Sequence, residues 1–306
     1  MLRRVLFGLS ESARARHFVT SHPLARRASR RFVAGETLDD AMAAVGRLAA
    51  DGYWSILNHL GERVTEPAEA EVATSDYLAA LDRLRAQPPA RDCYVSIKLT
   101  QLGLDFDRDL AIAHLRRILN AARLQDTFVR IDMEHSAYVE ATLAIVEQMR
   151  REGYARLGAA IQACLRRSEA DVDRLLRLEV PIRLVKGAYL EPPAIAYPTM
   201  AEVNASFLRI QQRLLRDRTP HAIATHDERL VEAAVRQARA EGIAPERFEF
   251  QFLYGIRRDL QARLLREGWR VRIYLPYGTH WYPYFMRRMA EHPANLFFIL
   301  RHLWGR

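Results

Sequence analysis

Lysine is nearly absent from this 306-residue chain: of 46 basic residues only Lys98 and Lys186 are lysine. Where arginine fills every other basic position, a surviving lysine points to a need for a compact ammonium that can lose its proton. Cysteine is as scarce. Cys93 and Cys164 cannot build a disulfide framework, and they fit a reducing compartment. No apolar run is long enough to span a bilayer. The N-terminal Met1–Leu9 stretch is basic and then apolar, but it is too short for a signal peptide and lacks a clear cleavage site. No glycine fingerprint of a dinucleotide-binding turn is present, since Gly8, Gly46, Gly61 and Gly103 all lack that spacing. No serine nucleophile elbow occurs, and His, Cys and carboxylates do not cluster at metal-ligand spacing. The net charge of +9 raises nucleic acid as a partner, but there is no zinc finger, RNA-recognition signature or aromatic-interleaved basic stripe. Arg26–Arg27 and Arg30–Arg31 read as a solvated helix face, with an anionic surface as the alternative partner.

What is present is apolar and rhythmic. Half the residues are hydrophobic, enough for a sizeable core in one large α/β barrel or two modest domains. Residues 1–50 read as a helical extension. Its last helix carries a capping box from Thr37 to Asp40 and ends at Gly52. Short apolar or β-branched runs then appear at Tyr53–Leu57, Tyr94–Leu99, Phe128–Asp132, Gly158–Gln162, Ile182–Val185, Ala222–Thr225, Phe248–Phe252 and Val271–Leu275. Amphipathic stripes lie between them, such as Leu110, Ile112, Leu115, Ile118 and Leu119. Eight such alternations predict an α/β fold, a (β/α)8 TIM-type barrel over 51–306. An open doubly wound sheet is the rival. Leu296–Trp304 reads as a short apolar helix packed on the barrel.

Barrel enzymes carry their chemistry at the carboxyl ends of the strands. The predicted strands end on Lys98, on Asp132 followed by Met133 and Glu134, on Gln162, and on Lys186-Gly187-Ala188-Tyr189, with Arg183 inside the fifth. The sixth ends on Thr225-His226-Asp227, the seventh carries Gln251, and the eighth carries Tyr274. A parallel strand buried on both faces should be apolar throughout. Each polar exception costs folding energy unless satisfied, so a ring of them points to a site. Each also has a plain structural reading: Asp132 pairing with Arg130 or capping a helix, Gln162 as a core amide, His226 starting a helix, Tyr274 as core. After the eighth strand, Pro276 and Gly278 predict a stop, and Pro283 suits the first turn of a new helix. Arg287 and Arg288 on that helix form a guanidinium pair suited to a carboxylate or phosphate.

Six motifs, in order and in register, resemble those of the bacterial monofunctional proline dehydrogenase (proline oxidase) family. They are Val95–Leu104, Arg130–Glu134, Arg183–Tyr189, Ala224–His226, Phe248–Gln251, and Tyr274–Gly278 running on through Tyr282–Arg288. The resemblance implies a distorted (β/α)8 barrel with non-covalent FAD at its carboxyl end. It implies oxidation of L-proline to Δ1-pyrroline-5-carboxylate, with electrons passing to a membrane quinone. By motif, Asp132 and Arg183 match the catalytic pair. Lys98, Tyr189, Tyr274, Arg287 and Arg288 match the substrate pocket. Met133, Gln162, Arg183, Lys186, Gly187, Ala188, Thr225 and His226 match the FAD contacts. A cytoplasmic protein with peripheral contact at the inner face of the cell membrane follows, with pyrroline-5-carboxylate dehydrogenase as a pathway partner and no nucleic acid. The sequence departs from the family at Cys164, where an aromatic is frequent, and at His135 and His280, where acidic residues are common.

A second chemistry fits the residues alone. Lys186 at a strand end suits a Schiff-base aldolase on the same barrel, with the arginine pair holding a substrate phosphate. A nucleic-acid binder is the third class, carried only by net charge.

Overall fold

A computed structural model describes residues 29–61, 64–87, 89 and 92–291. The expected helices before residue 29, with Arg26 and Arg27, and the Leu296–Trp304 run lie outside the described residues.

Eight parallel strands close into a barrel in sequence order, so the barrel reading holds and the open sheet does not. They are β1 (Trp54–His59), β2 (Cys93–Ile97), β3 (Val129–Ile131), β4 (Leu157–Gln162), β5 (Ile182–Val185), β6 (His221–Ala224), β7 (Phe248–Leu253) and β8 (Val271–Tyr277). Helix α1 (Leu38–Ala50) precedes β1; α2 (Pro67–Ala86), α3 (Arg108–Leu124), α4 (Ser136–Arg151), α5 (Ser168–Leu176), α6 (Met200–Arg216), α7 (Glu228–Glu241), α8 (Arg258–Arg266) and α9 (Trp281–Glu291) follow the strands in turn. The capping box of α1 forms as read: Thr37 Oγ1 accepts from the Asp40 amide, and Asp40 accepts from the Thr37 amide.

Alternation along each strand separates two environments. Outward residues such as Val95, Ile97, Ile131, Leu184, Ile223, Phe250, Ile273 and Leu275 join one apolar cluster with the helices. The other face is not aliphatic. Across neighbouring strands, Ser96 pairs in register with Arg130, Ala160 with Arg183, Ala222 with Glu249, and Gln251 with Arg272. Barrel interiors are usually filled by bulky branched residues. This one is filled by arginines, with small residues beside them. Gly158 is the tightest case, because a Cβ there would strike the Pro181 carbonyl and the Phe128 ring and press on the Arg130 guanidinium.

Strand β8 overruns its predicted stop at Pro276, and the hydrogen-bond pattern explains why. Strand β7 has already ended where Leu253 pairs with Tyr274, so no ladder partner awaits an amide at 276. The Pro276 carbonyl instead accepts from Ala34, while Tyr277 continues the ladder by accepting from Leu60. A second apolar cluster joins Phe32 and Val33 with Trp281, Tyr282, Phe285 and Met289 of α9, over Leu60 beyond β1 and Ile256 beyond β7. Burying each such side chain contributes about 1.5–3 kcal/mol. This cluster seats α9 on the carboxyl end of the barrel, with Trp281 Nε1 donating to Glu36 at 3.0 Å.

Candidate active site

The Asp132 carboxylate, one residue past β3, is the meeting point of four side chains from three other strands. Arg183 of β5 pairs with it through Nη1. Tyr274 of β8 donates its hydroxyl at 2.6 Å, and Ser96 of β2 donates at 2.7 Å. Lys98, just beyond β2, stands 3.7 Å away. Asp132 thus pairs with Arg183 and not with Arg130, the plain structural reading raised by the sequence. Arg130 instead bonds the Tyr94 hydroxyl and the Pro181 carbonyl below the site.

Burial opposes charge on Asp132, but Arg183, Lys98 and the two hydroxyls outweigh it and hold its pKa below the ordinary value. The group is a fixed anion at neutral pH. Burial and the adjacent Asp132 charge push the Tyr274 phenol far up, so it stays a donor. Glu134, two residues on, is raised by burial despite bonds from the Thr100 amide and hydroxyl.

Arg183 is held on its other edge. Its Nε donates to Gln251 at 2.6 Å, and Nη1 also reaches Ser96 at 3.1 Å. Its remaining nitrogen, Nη2, is buried and has no hydrogen-bond partner among the described residues. A buried donor without an acceptor is costly, so this atom invites a ligand.

The loop after β5 forms a second wall. Gln162 at the end of β4 donates to the Glu134 carbonyl at 2.9 Å. Gly187 follows with φ of 113°, and a Cβ there would overlap the Cys164 sulfur. Burial raises the Cys164 thiol to about 11, so it packs as an inert group. Lys186 pairs with Asp227 at 2.7 Å. Ala188 lies beside Gly187, and Tyr189 meets the His135 ring edge-on at 6.0 Å. Glu191 fastens this loop to the start of α4, accepting from the Ser136 amide at 2.8 Å and its hydroxyl at 2.6 Å. Beyond β6, the Thr225 hydroxyl accepts from the Asp227 amide, and His226 Nε2 accepts from the Leu253 amide at 3.0 Å. Met133 is buried against the apolar cluster.

The sequence-predicted residues Lys98, Asp132, Arg183 and Tyr274 therefore share one contact network, and Gln162, Gly187 and Lys186 line its neighbour. Arg288 is buried on α9 with its guanidinium over the Tyr284 ring at 5.3 Å; the bonds around Asp132 do not include it. Arg287 lies on α9, but its side chain is outside what the structure describes, as is that of Glu291. Sequence reasoning gave no role to Ser96, Asp227 or the bonds of Gln251. A small hydroxyl inside β2 and an amide inside β7 were the signals, each a polar residue in a strand buried on both faces.

The proline dehydrogenase family profile matches residues 41–301. The chain belongs to the proline dehydrogenase family. It is 41% identical to the proline dehydrogenase of Deinococcus radiodurans, over 89% of this chain and 88% of that protein. Proline dehydrogenase 1 of Bacillus subtilis subsp. natto is 38% identical over 98% of each chain. Among solved structures, proline utilization A from Bdellovibrio bacteriovorus superposes with a TM-score of 0.81 at 24% identity, over 92% of this chain and 34% of that one. That likeness shows the barrel fold, of which this chain spans about a third of the larger protein's length. The Schiff-base aldolase reading finds no support. The relatives are named as dehydrogenases, and Lys186 is the partner of Asp227 and not a lone amine. No described helix is long and apolar enough to cross a membrane.

Proposed function

We propose that this chain oxidises L-proline to Δ1-pyrroline-5-carboxylate with non-covalent FAD, the first step of proline degradation. The observation that carries the reading is the convergence of Lys98, Asp132, Arg183 and Tyr274 on one buried network at the carboxyl end of the barrel, in a chain of this family. The net reaction removes a proton from the ring nitrogen and a hydride from C5, leaving a C=N bond. The flavin, when bound, supplies the two-electron acceptor for that hydride.

The residues fit such a cofactor. The unpartnered Arg183 Nη2 calls for an acceptor atom. Lys186 offers a cation, and Gly187, which fits closely against Cys164 and Gln162, gives a tight turn beside it, with Met133, Ala188, Thr225 and His226 as the further proposed contacts. Arg183 then lends positive charge where electron density accumulates. For the substrate, Lys98 with Arg287 and Arg288 takes the proline carboxylate, the guanidiniums by paired hydrogen bonds. Tyr189 and Tyr274 wall the ring and exclude water. Asp132, held as an anion, cannot serve as a proton donor at neutral pH. Its part is to fix Lys98, Arg183 and the Tyr274 hydroxyl in place. We assign residues 1–50 to an N-terminal helical extension and residues 51–306 to one catalytic barrel. A membrane quinone is the proposed acceptor, reached by peripheral contact from the cytoplasm.

The test is the visible spectrum of purified protein reconstituted with FAD, before and after L-proline is added without oxygen. The flavin band should bleach, and the pyrroline product should be trapped by an aromatic amino-aldehyde. Protein that takes up no FAD, or whose flavin stays oxidised with excess proline, ends the reading.

A further inference from the structure

Beneath Asp132 the barrel interior carries a second layer that the reaction as proposed does not use. Gln251 of β7 is almost fully buried, and all three of its bonds run to residues on the interior face. Its carbonyl accepts from Arg183 Nε at 2.6 Å. Its amide nitrogen donates to the Tyr94 hydroxyl at 2.8 Å and to the Glu249 carboxylate at 2.5 Å. Glu249 is in turn gripped by Arg272 of β8, whose Nε reaches both carboxylate oxygens at 2.9 Å. These partners leave the amide one orientation: an oxygen facing Glu249 and the Tyr94 hydroxyl would lose both acceptors and turn the NH2 against the guanidinium. A buried amide with every atom used, next to a guanidinium with one nitrogen unused, is an asymmetry that packing does not require.

We propose that Gln251 is a positioning residue for the reaction, fixing the plane of Arg183 so that Nη2 is left free and aimed at the bound flavin. This rests on the function proposed above. Arg183 is anchored on two edges, by Asp132 and Ser96 at Nη1 and by Gln251 at Nε. With only the first, the guanidinium rotates about the carboxylate and turns into a bidentate pair, which is the stronger geometry for those two groups alone. That pairing consumes the free nitrogen and draws its charge towards Asp132. With both anchors the fork is locked. Gln251 itself touches neither substrate nor cofactor, and its own rigidity comes from Glu249 and Arg272 behind it.

The test uses holoenzyme of the full chain with two variants. Gln251→Met keeps the volume and removes all three bonds. Its kcat for L-proline should fall by about 10²-fold, the scale of a misplacement of roughly 1 Å at a catalytic group, while KM stays within about threefold. The midpoint potential of its bound flavin should shift to a lower value, because less positive charge faces the reduced form. Gln251→Glu separates positioning from packing. Its neighbours are Tyr94 from β2, Arg183 from β5, Glu249 on β7 and Arg272 from β8, with Ala224 of β6 in register beside it. While protonated, the new carboxyl reproduces both the acceptor to Arg183 and a donor to Glu249, so activity is largely restored at low pH. On losing that proton it repels Glu249 and neutralises Arg183, so kcat and potential both fall as pH rises, a limb absent from the wild type. Wild-type kcat and potential in Gln251→Met overturn the proposal, as does a Gln251→Glu profile that matches the wild type at all pH. A wild-type chain that fails to bind FAD or oxidise proline overturns the proposed function instead.

Discussion

Asp132 illustrates how one residue acquires several duties from its neighbours. Alone, a carboxylate at a buried strand end would be expelled or protonated. Arg183, Lys98, Tyr274 and Ser96 make it stable as an anion, and it in turn makes the buried Arg183 and the half-buried Lys98 tolerable. Asp132→Asn keeps the shape but leaves one of the two hydroxyls without its acceptor oxygen and those cations uncompensated. It should cost about 3–5 kcal/mol, the scale for breaking a buried pair, together with most of the activity. The sign of the pH dependence follows from the direction of the shift. The native pKa lies below the unfolded value of about 3.9, so the wild-type advantage is complete above that value and is lost as pH falls through the native pKa. Urea unfolding of both proteins from neutral to acidic pH measures it. A stability gap that stays constant into acid would refute the pairing.

The loop between β5 and α6 shows what an element adds. Its motif residues from Lys186 to Tyr189 are local in sequence, but their placement depends on two distant contacts, Gly187 against Cys164 and Glu191 against Ser136. Neither was legible beforehand. A glycine in a motif does not reveal which side chain crowds it, and a glutamate in a Pro-rich loop looks solvated. Gly187→Ala faces two penalties: a backbone φ of 113°, worth about 1–3 kcal/mol, and collision with the Cys164 sulfur. The loop should give way before the barrel does, so FAD affinity drops while the unfolding midpoint barely moves. Adding Cys164→Ala removes the collision and leaves the dihedral strain, so affinity should recover in part. Fluorescence titration of FAD against the single and double variants decides this. Full recovery would mean that the strain is negligible, and no recovery would mean that the sulfur is irrelevant.

For the whole molecule, period-two runs separated by helical stripes made the barrel readable, because both patterns are short-range. The polar strand ends were readable for the same reason, as interruptions of apolar runs. What the chain could not disclose is that its interior is an ionic lattice. Glu249 and Arg272 each look like a surface residue of an arginine-rich protein until barrel closure pairs them on the interior face, and Arg130, read as a partner for Asp132, bonds the Tyr94 hydroxyl there instead. Small residues stand in register beside the interior charges, Gly158 by Arg130, Ala160 by Arg183 and Ala222 by Glu249, and complete the space they fill. The lattice has a thermodynamic consequence. Arg272 is 3% exposed and its Glu249 partner 11%, so both were desolvated on folding. Burial opposes ionisation of Glu249, yet Arg272 holds its pKa below the ordinary value. Removing one partner strands the other in a dry interior, whereas removing both removes the desolvation cost too. Glu249→Met and Arg272→Met should therefore each cost about 3–5 kcal/mol singly, and the double variant less than their sum by about 2–3 kcal/mol. The Asp92 and Ser55 contacts of Arg272, and the bond from Gln251 to Glu249, keep the recovery from being complete. A double-mutant cycle by urea unfolding measures the coupling. Additivity within about 0.5 kcal/mol would show that the two charges are solvated independently, and that the interior of this barrel is wetter than its closed register implies.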